Sequence, residues 1–242
     1  HDIGQIHDGL RGHTADDWQC QSEDFLQTRF QSALVSALVK LVLFDIDGTL
    51  LRSNGLGRGS MLAAIDAHVS CDYNRKNPID GKTDLQFLHE CLLEPLGAQQ
   101  LAAVIPDIFA LHVQTLRREF TAAAGAELLG GVREILDACL AREDAVLGLI
   151  TGNLHDGARA KLDVFDLNSY FAFGAFGDDG VQRVELPPVA VRRAREQTGR
   201  DFAGEDIVII GGQPSDVACG RPEGVGALAV GTGQPARAGL GS

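Results

Sequence analysis

No apolar run in the 242 residues approaches the roughly 20 needed to cross a bilayer, so the chain is expected to be soluble. No CxxC pair occurs either. The five cysteines (Cys20, Cys71, Cys91, Cys139 and Cys219) are scattered and odd in number, which argues against a disulfide framework or a zinc site. A reducing cytoplasm suits such usage best. Positive charge is scarce: 21 Lys and Arg against 33 Asp and Glu leave a formal net charge of −12. That balance argues against general binding to nucleic acid or to an anionic membrane, because the chain's field repels phosphates outside any local basic pocket. A small anionic substrate held by a few placed groups stays open. Methionine is nearly missing: Met61 is the only one, and the chain opens on His1, so its start is expected to be a processed end or a fragment. The first thirty residues lack the basic-then-apolar pattern of a signal peptide. No HxxxH or HExxH spacing joins the histidines, among them His89, His112 and His155, which are expected to be surface or partly buried residues.

What is present reads as an ordinary globular chain, with 45% hydrophobic and 22% charged residues. Residues 1–40 form a polar extension, within which Leu26, Phe30, Ala33, Leu34, Ala37 and Leu38 follow helical spacing. Residues 41–44 are a short buried-type strand. From 53 to 126 the pattern is helical throughout, with helices expected over 58–68, 85–93 and 101–120 and a polar loop at 80–84. After Gly130-Gly131, helices (132–140, 155–165, 188–198) alternate with apolar strands (145–150, around 170–176, 206–210, 226–230). Apolar strands alternating with helices predict a parallel α/β sheet covered on both faces, here with a helical insertion. The expected division is a core of 41–52 plus 127–242, and an insertion of 53–126.

In open α/β sheets ligands bind beyond the carboxyl ends of the strands. Three strands here end in polar or glycine-rich sequence: at Asp45 and Asp47, at Thr151-Gly152-Asn153, and at Gly211-Gly212 with Ser215 and Asp216. Asp45 and Asp47 stand two residues apart, so both side chains can face one pocket. One carboxylate can attack an electrophile while the other handles protons, and clustered oxygens also suit a hard cation. The plain alternative is a polar turn capped by Asp. A calcium-binding EF-hand is rejected, because its twelfth position is Leu56 and a strand precedes it.

The succession Phe44-Asp-Ile-Asp-Gly-Thr-Leu50, Ile150-Thr-Gly-Asn153 and a glycine-rich acidic loop resembles the haloacid dehalogenase-like superfamily. Within it the chain looks like the phosphoglycolate-phosphatase-type hydrolases, which have a Rossmann-like parallel core and a helical cap inserted after the first motif. The similarity runs from about 40 to 232. It implies that Asp45 is the nucleophile, giving an aspartyl-phosphate, and that Asp47 is the acid for the leaving group and the base for the hydrolytic water. It further implies Mg²⁺, ligated by Asp45 and by the backbone carbonyl of Asp47, and a Thr151 hydroxyl on the transferring phosphoryl with Gly152 and Asn153 beside it. Arg183 stands where the family has a lysine. As a planar fork it supplies the charge with different geometry. In the insertion, Gly81-Lys-Thr-Asp84 resembles a loop that reaches into the active site, which makes Lys82 and Thr83 candidates for substrate binding. Thr83 or Asp84 as a plain helix cap is the alternative.

One departure matters. Where the family reads Gly-Asp-x-x-x-Asp, this chain reads Gly211-Gly212-Gln-Pro-Ser-Asp216, so a metal-ligand carboxylate is missing and Asp216 remains as a candidate ligand. Hard-cation affinity rises with ligand charge, so Mg²⁺ binding is expected to weaken and turnover to slow or fail. Asp178 and Asp179 are expected to be solvated loop acids. The expected function is therefore a Mg²⁺-dependent phosphomonoesterase for a small phosphorylated metabolite. The alternatives are a catalytically impaired binding or regulatory module and, since Asp47 counts against it, a dehalogenase.

Overall fold

The computed structural model describes residues 39–220 and 224–229. The helically spaced residues from Leu26 to Leu38, and residues 230–242, lie outside them. In chain order the elements are β1 (Lys40–Phe44), β2 (Leu51–Arg52), α1 (Leu56–His68), α2 (Asp84–Leu96), α3 (Ala98–Glu119) and β3 (Glu127–Leu128). They continue with α4 (Val132–Leu140), β4 (Ala145–Ile150), α5 (His155–Asp163), β5 (Gly174–Ala175), α6 (Leu186–Thr198), β6 (Ile207–Gly211), α7 (Pro214–Gly220) and β7 (Gly226–Ala229).

Five strands make one parallel sheet in the order β5-β4-β1-β6-β7. The run Lys40-Leu-Val-Leu-Phe44 is buried along its length because both faces of the sheet are covered. Successive side chains alternate between two cores. Val42 and Phe44 join Leu136 of α4 and Ala158 and Leu162 of α5. Leu41 and Leu43 join Leu186, Ala190 and Ala194 of α6 on the opposite face. The chain winds from β1 outward to β4 and β5, then returns past β1 to β6 and β7. The winding therefore reverses beside β1, where α/β sheets open a crevice at the strands' carboxyl ends.

Residues between β2 and β3 bury a core of their own, with Met61 and Ile65 of α1, Phe87, Leu88 and Leu92 of α2, and Leu101 and Ile108 of α3. Two short features escaped the sequence patterns. The two-residue strands β2 and β3 pair antiparallel where the chain leaves and re-enters the core, too briefly for alternation to register. Helix α7 occupies what read as a loop. The strand expected around 170–176 shrinks to Gly174–Ala175, since a 3₁₀ turn at Asn168–Tyr170 precedes it. Phe171, Phe173 and Phe176 are nonetheless buried, which is why that stretch looked strand-like.

Candidate active site

The carboxyl ends of β1, β4 and β6 and the inner side of the helical insertion enclose a cavity of about 310 Å³. Asp45 follows β1 directly, and its N–H donates to the Ile210 carbonyl at 2.9 Å, which carries the β1–β6 ladder one residue past the strand. Its carboxylate is 4% exposed. Arg183, in the 3₁₀ turn Arg183–Glu185 before α6, donates from Nη2 to Asp45 Oδ1 at 2.9 Å and to Asp216 Oδ1. One guanidinium thus joins two buried carboxylates. Burial is the strongest influence on Asp45 and pushes it up to about 6 against the pull of Arg183, with the charge of Asp216 adding to the rise. For Arg183 the two carboxylates outweigh burial and hold its proton more tightly than usual. Asp216 Oδ2 accepts from the Gln213 N–H at 2.8 Å, so both of its oxygens are engaged. Thr49 ties the first and last of these loops: the Gly212 N–H donates to its Oγ1 at 2.9 Å, and Oγ1 stands 3.5 Å from Asp45 Oδ2. Gly211 must be glycine, because a Cβ there would lie 2.2 Å from the Asp216 carboxyl carbon.

Asp47 keeps 35% of its side chain open, toward the cavity. Oδ1 accepts from Ser53 Oγ at 2.7 Å; Oδ2 accepts from Asn153 Nδ2 at 2.8 Å and from Lys161 Nζ at 2.6 Å. Burial alone would raise this acid, but the Lys161 ammonium and the three hydrogen bonds more than offset it and hold Asp47 below the usual carboxylate range. Lys161 also donates to Asn153 Oδ1 at 2.6 Å. Thr151 is fully buried, and its Oγ1 accepts from the Asn153 side chain at 2.8 Å and backbone N–H at 3.3 Å. Asn153 is thus a bracket between Thr151, Asp47 and Lys161.

Lys161 was missed from sequence. The signal was available: Ala158, Lys161 and Leu162 share the buried stripe of α5, and a lysine there must find a buried partner. His112 is a second omission. It is 2% exposed, not a surface residue, and lines the cavity with Nδ1 2.9 Å from Ser60 Oγ and Nε2 4.0 Å from Asp84 Oδ2. Burial pushes His112 down to about 3, with the charge of Lys161 adding to the effect. Burial likewise pushes Asp84 up to about 6, partly opposed by Lys161 and by the Leu154 N–H it accepts at 2.9 Å.

The loop before α2 lies against the core. Asp84 N–H donates to the Gly152 carbonyl at 2.8 Å, and Thr83 Oγ1 donates to the Val181 carbonyl at 2.6 Å. A Cβ on Gly152 would stand 1.9 Å from the Lys82 carbonyl oxygen, so only glycine permits this approach. Thr83 also caps α2 by accepting from the Gln86 N–H at 3.0 Å; it has no exposed surface, and its hydroxyl serves helix and core. Lys82 lines the cavity, yet its ammonium is turned to Glu90 and, at 3.1 Å, to Asn77. Asp178 and Asp179 stand away from this cavity. Asp178 accepts from the His155 N–H at the start of α5, and Asp179 pairs with Arg193.

This geometry puts the ends of three motifs around one carboxylate, and residues 42–221 match the family model described as haloacid dehalogenase-like hydrolase. The chain belongs to the haloacid dehalogenase-like hydrolases. It is 27% identical to pyrophosphatase PpaX of Halalkalibacterium halodurans over 195 residues, which cover 80% of this chain and 84% of that protein. CbbY of Rhodobacter sphaeroides, solved in complex with phosphate, superposes with a TM-score of 0.57 at 17% identity, over 84% of this chain and 92% of that one. A haloacid dehalogenase-like family protein of Streptococcus pneumoniae gives 0.52 at 16% identity, over 79% and 84%. The family's Rossmann-like fold accounts for the parallel sheet and for the crevice at its carboxyl end.

The donor set fits a hard divalent cation in part. Asp45 and Asp47 bring oxygens to one end of the cavity, which suits Mg²⁺. Gly212 brings no side-chain oxygen, and Asp216 is 1% exposed, with its two oxygens already accepting from Arg183 and the Gln213 N–H.

Proposed function

We propose that the protein is a phosphomonoesterase that hydrolyses a small phosphorylated metabolite through an aspartyl-phosphate on Asp45, with a weakened Mg²⁺ site. The observation that carries this reading is the buried Asp45 carboxylate facing the cavity, held by Arg183 and flanked by Asp47 and Thr151. Asp45 attacks phosphorus and the bond from phosphorus to the leaving oxygen breaks. That oxygen takes its proton from Asp47, which must first be protonated. Water then attacks the aspartyl-phosphate, Asp47 takes the water's proton, and Asp45 is released with inorganic phosphate. Arg183 and Lys161 offset the charge that four anionic groups would otherwise crowd together. Thr151, with Gly152 and Asn153, orients the phosphoryl group.

Asp45 and the Asp47 backbone carbonyl would hold Mg²⁺, with Asp216 as a further ligand, directly or through water. The ion supplies charge neutralisation at the phosphoryl oxygens. We take residues 53–126 as a cap that excludes water from the aspartyl-phosphate, with Lys82 at its rim and Thr83 anchoring it to the core. The thiols of Cys91, Cys139 and Cys219 are buried and free, in keeping with a reducing cytoplasm. No helix among the described residues is long and apolar enough to cross a membrane. PpaX being named a pyrophosphatase puts pyrophosphate among the substrates to assay. Gly212 favours a second reading, a family member that binds a phosphorylated ligand without turning it over. Phosphate release from a panel of small esters and pyrophosphate across a Mg²⁺ titration separates the two. Saturable turnover abolished by Asp45→Asn supports the enzyme, and tight ligand binding without turnover supports the binding module.

A further inference from the structure

Four cations line the cavity: Arg58, Lys82, Lys161 and Arg183. Three have a carboxylate of the chain against them. Lys82 has Glu90, Lys161 has Asp47, and Arg183 has Asp45 and Asp216. Arg58 has no carboxylate within ion-pair distance among the described residues. Its Nη2 donates to the Arg75 carbonyl, and its guanidinium carbon stands 5.8 Å from the centre of the Phe87 ring. Its Nη1 is buried and has no hydrogen-bond partner. The residue also sits in the first turn of α1, where the helix dipole disfavours a cation. An unmade buried hydrogen bond and an adverse helix position both cost stability, and an anion on Nη1 relieves both.

We propose that Arg58 receives a second anionic group of the substrate, a carboxylate or a phosphoryl, while the scissile phosphoryl lies against Asp45 and Thr151. This rests on the phosphatase reading and narrows it. The preferred substrates are compact phosphate esters or anhydrides with an anion at the far end, not esters with a neutral tail. The cavity, at about 310 Å³, stands at the small end of ligand sites, which suits a compact ligand. Because the Arg75 carbonyl and the Phe87 ring already fix the guanidinium, little side-chain freedom remains to be lost on binding.

The test is calorimetric binding of non-hydrolysable probes at one fixed free Mg²⁺ concentration. Phosphonoacetate carries a carboxylate tail and methylenediphosphonate a phosphoryl tail; 2-oxopropylphosphonate and ethylphosphonate carry neutral ones. Wild type is expected to prefer one or both anionic tails over the neutral ones by about 10-fold or more, the range of a charge-assisted hydrogen bond. Which anionic tail binds more tightly identifies the second group. In Arg58→Met the preference should shrink to within about 3-fold, and Arg58→Lys should keep part of it. Equal binding of charged and neutral tails by wild type overturns the proposal and leaves the phosphatase reading standing, as does a preference that survives in Arg58→Met. Failure of every phosphonate to bind overturns both. If Arg58→Met does not fold, Arg58→Gln takes its place and the same outcomes decide.

Discussion

Removing Arg183 is the most informative single perturbation of this site. Its guanidinium is the only cation among the described residues that pairs with Asp45 and Asp216, and all three side chains are at least nine-tenths buried. Arg183→Met keeps the volume of the stem and leaves two carboxylates close together in a low dielectric. Breaking a buried ion pair by removing one partner costs about 3–5 kcal/mol, because the remaining charge is uncompensated. With a urea slope of about 3 kcal/mol/M for a chain of this size, the unfolding midpoint should fall by about 1–2 M. Asp216→Asn in the Arg183→Met background should recover about 1 kcal/mol or more, since it removes one of the two repelling charges. Asp216→Asn alone should destabilise, because it leaves Arg183 with one carboxylate. Urea unfolding followed by circular dichroism on the four proteins gives the cycle directly. A midpoint for Arg183→Met within about 0.3 M of wild type, or additive single effects with no coupling, would refute the reading of these three residues as one electrostatic unit.

Further expectations concern other parts of the site. Lys161→Met should lower phosphate release by about 10-fold or more, since it removes a cation that offsets the crowded anionic charge and that fixes Asp47 and Asn153, and kinetics at saturating substrate check it. Gly212→Asp should tighten Mg²⁺ binding by about 10-fold or more by restoring an anionic ligand; calorimetric titration of the metal alone reads this without turnover. Gly152→Ala should force the loop before α2 off the core, where a Cβ would stand 1.9 Å from the Lys82 carbonyl oxygen, and proteolysis of that loop should quicken. His112, held at about 3 in the fold against its ordinary 6.5, contributes stability that is fully present above pH 6.5 and lost as pH falls toward 3. At pH 5 that loss is about 2 kcal/mol, so wild type should weaken more than His112→Asn between pH 7 and pH 5. Asp84, raised to about 6, has the opposite sign and stabilises as pH falls from 6 toward 4, which is common to both proteins and cancels in the comparison.

The parts of this architecture legible in the sequence are those that repeat a pattern over many residues. The buried run of β1, the strand of β4 and the helices over 132–140 and 186–198 carry periodicity that burial on two faces imposes. Asp45, Asp47 and Thr151 could be named because each follows an apolar strand, where the α/β winding leaves room for a ligand. Arg58 and His112 could not be placed so easily. Each belongs to a helix of the insertion whose face toward the cavity depends on how the insertion and core pack, which no single element's spacing reveals. Lys82 illustrates the converse. Its place in a polar loop suggested substrate contact, but Glu90, two turns along α2, sits where it takes the ammonium.

The central claim is that Asp45 carries the phosphoryl group. Incubating the protein with a turned-over ester and Mg²⁺, quenching in acid and mapping peptides by mass spectrometry tests it most directly. The account predicts one phosphoryl group on the peptide containing Asp45, absent from Asp45→Asn, which should release no phosphate. Phosphate release that persists in Asp45→Asn, or a phosphoryl group found on a different residue, would contradict it.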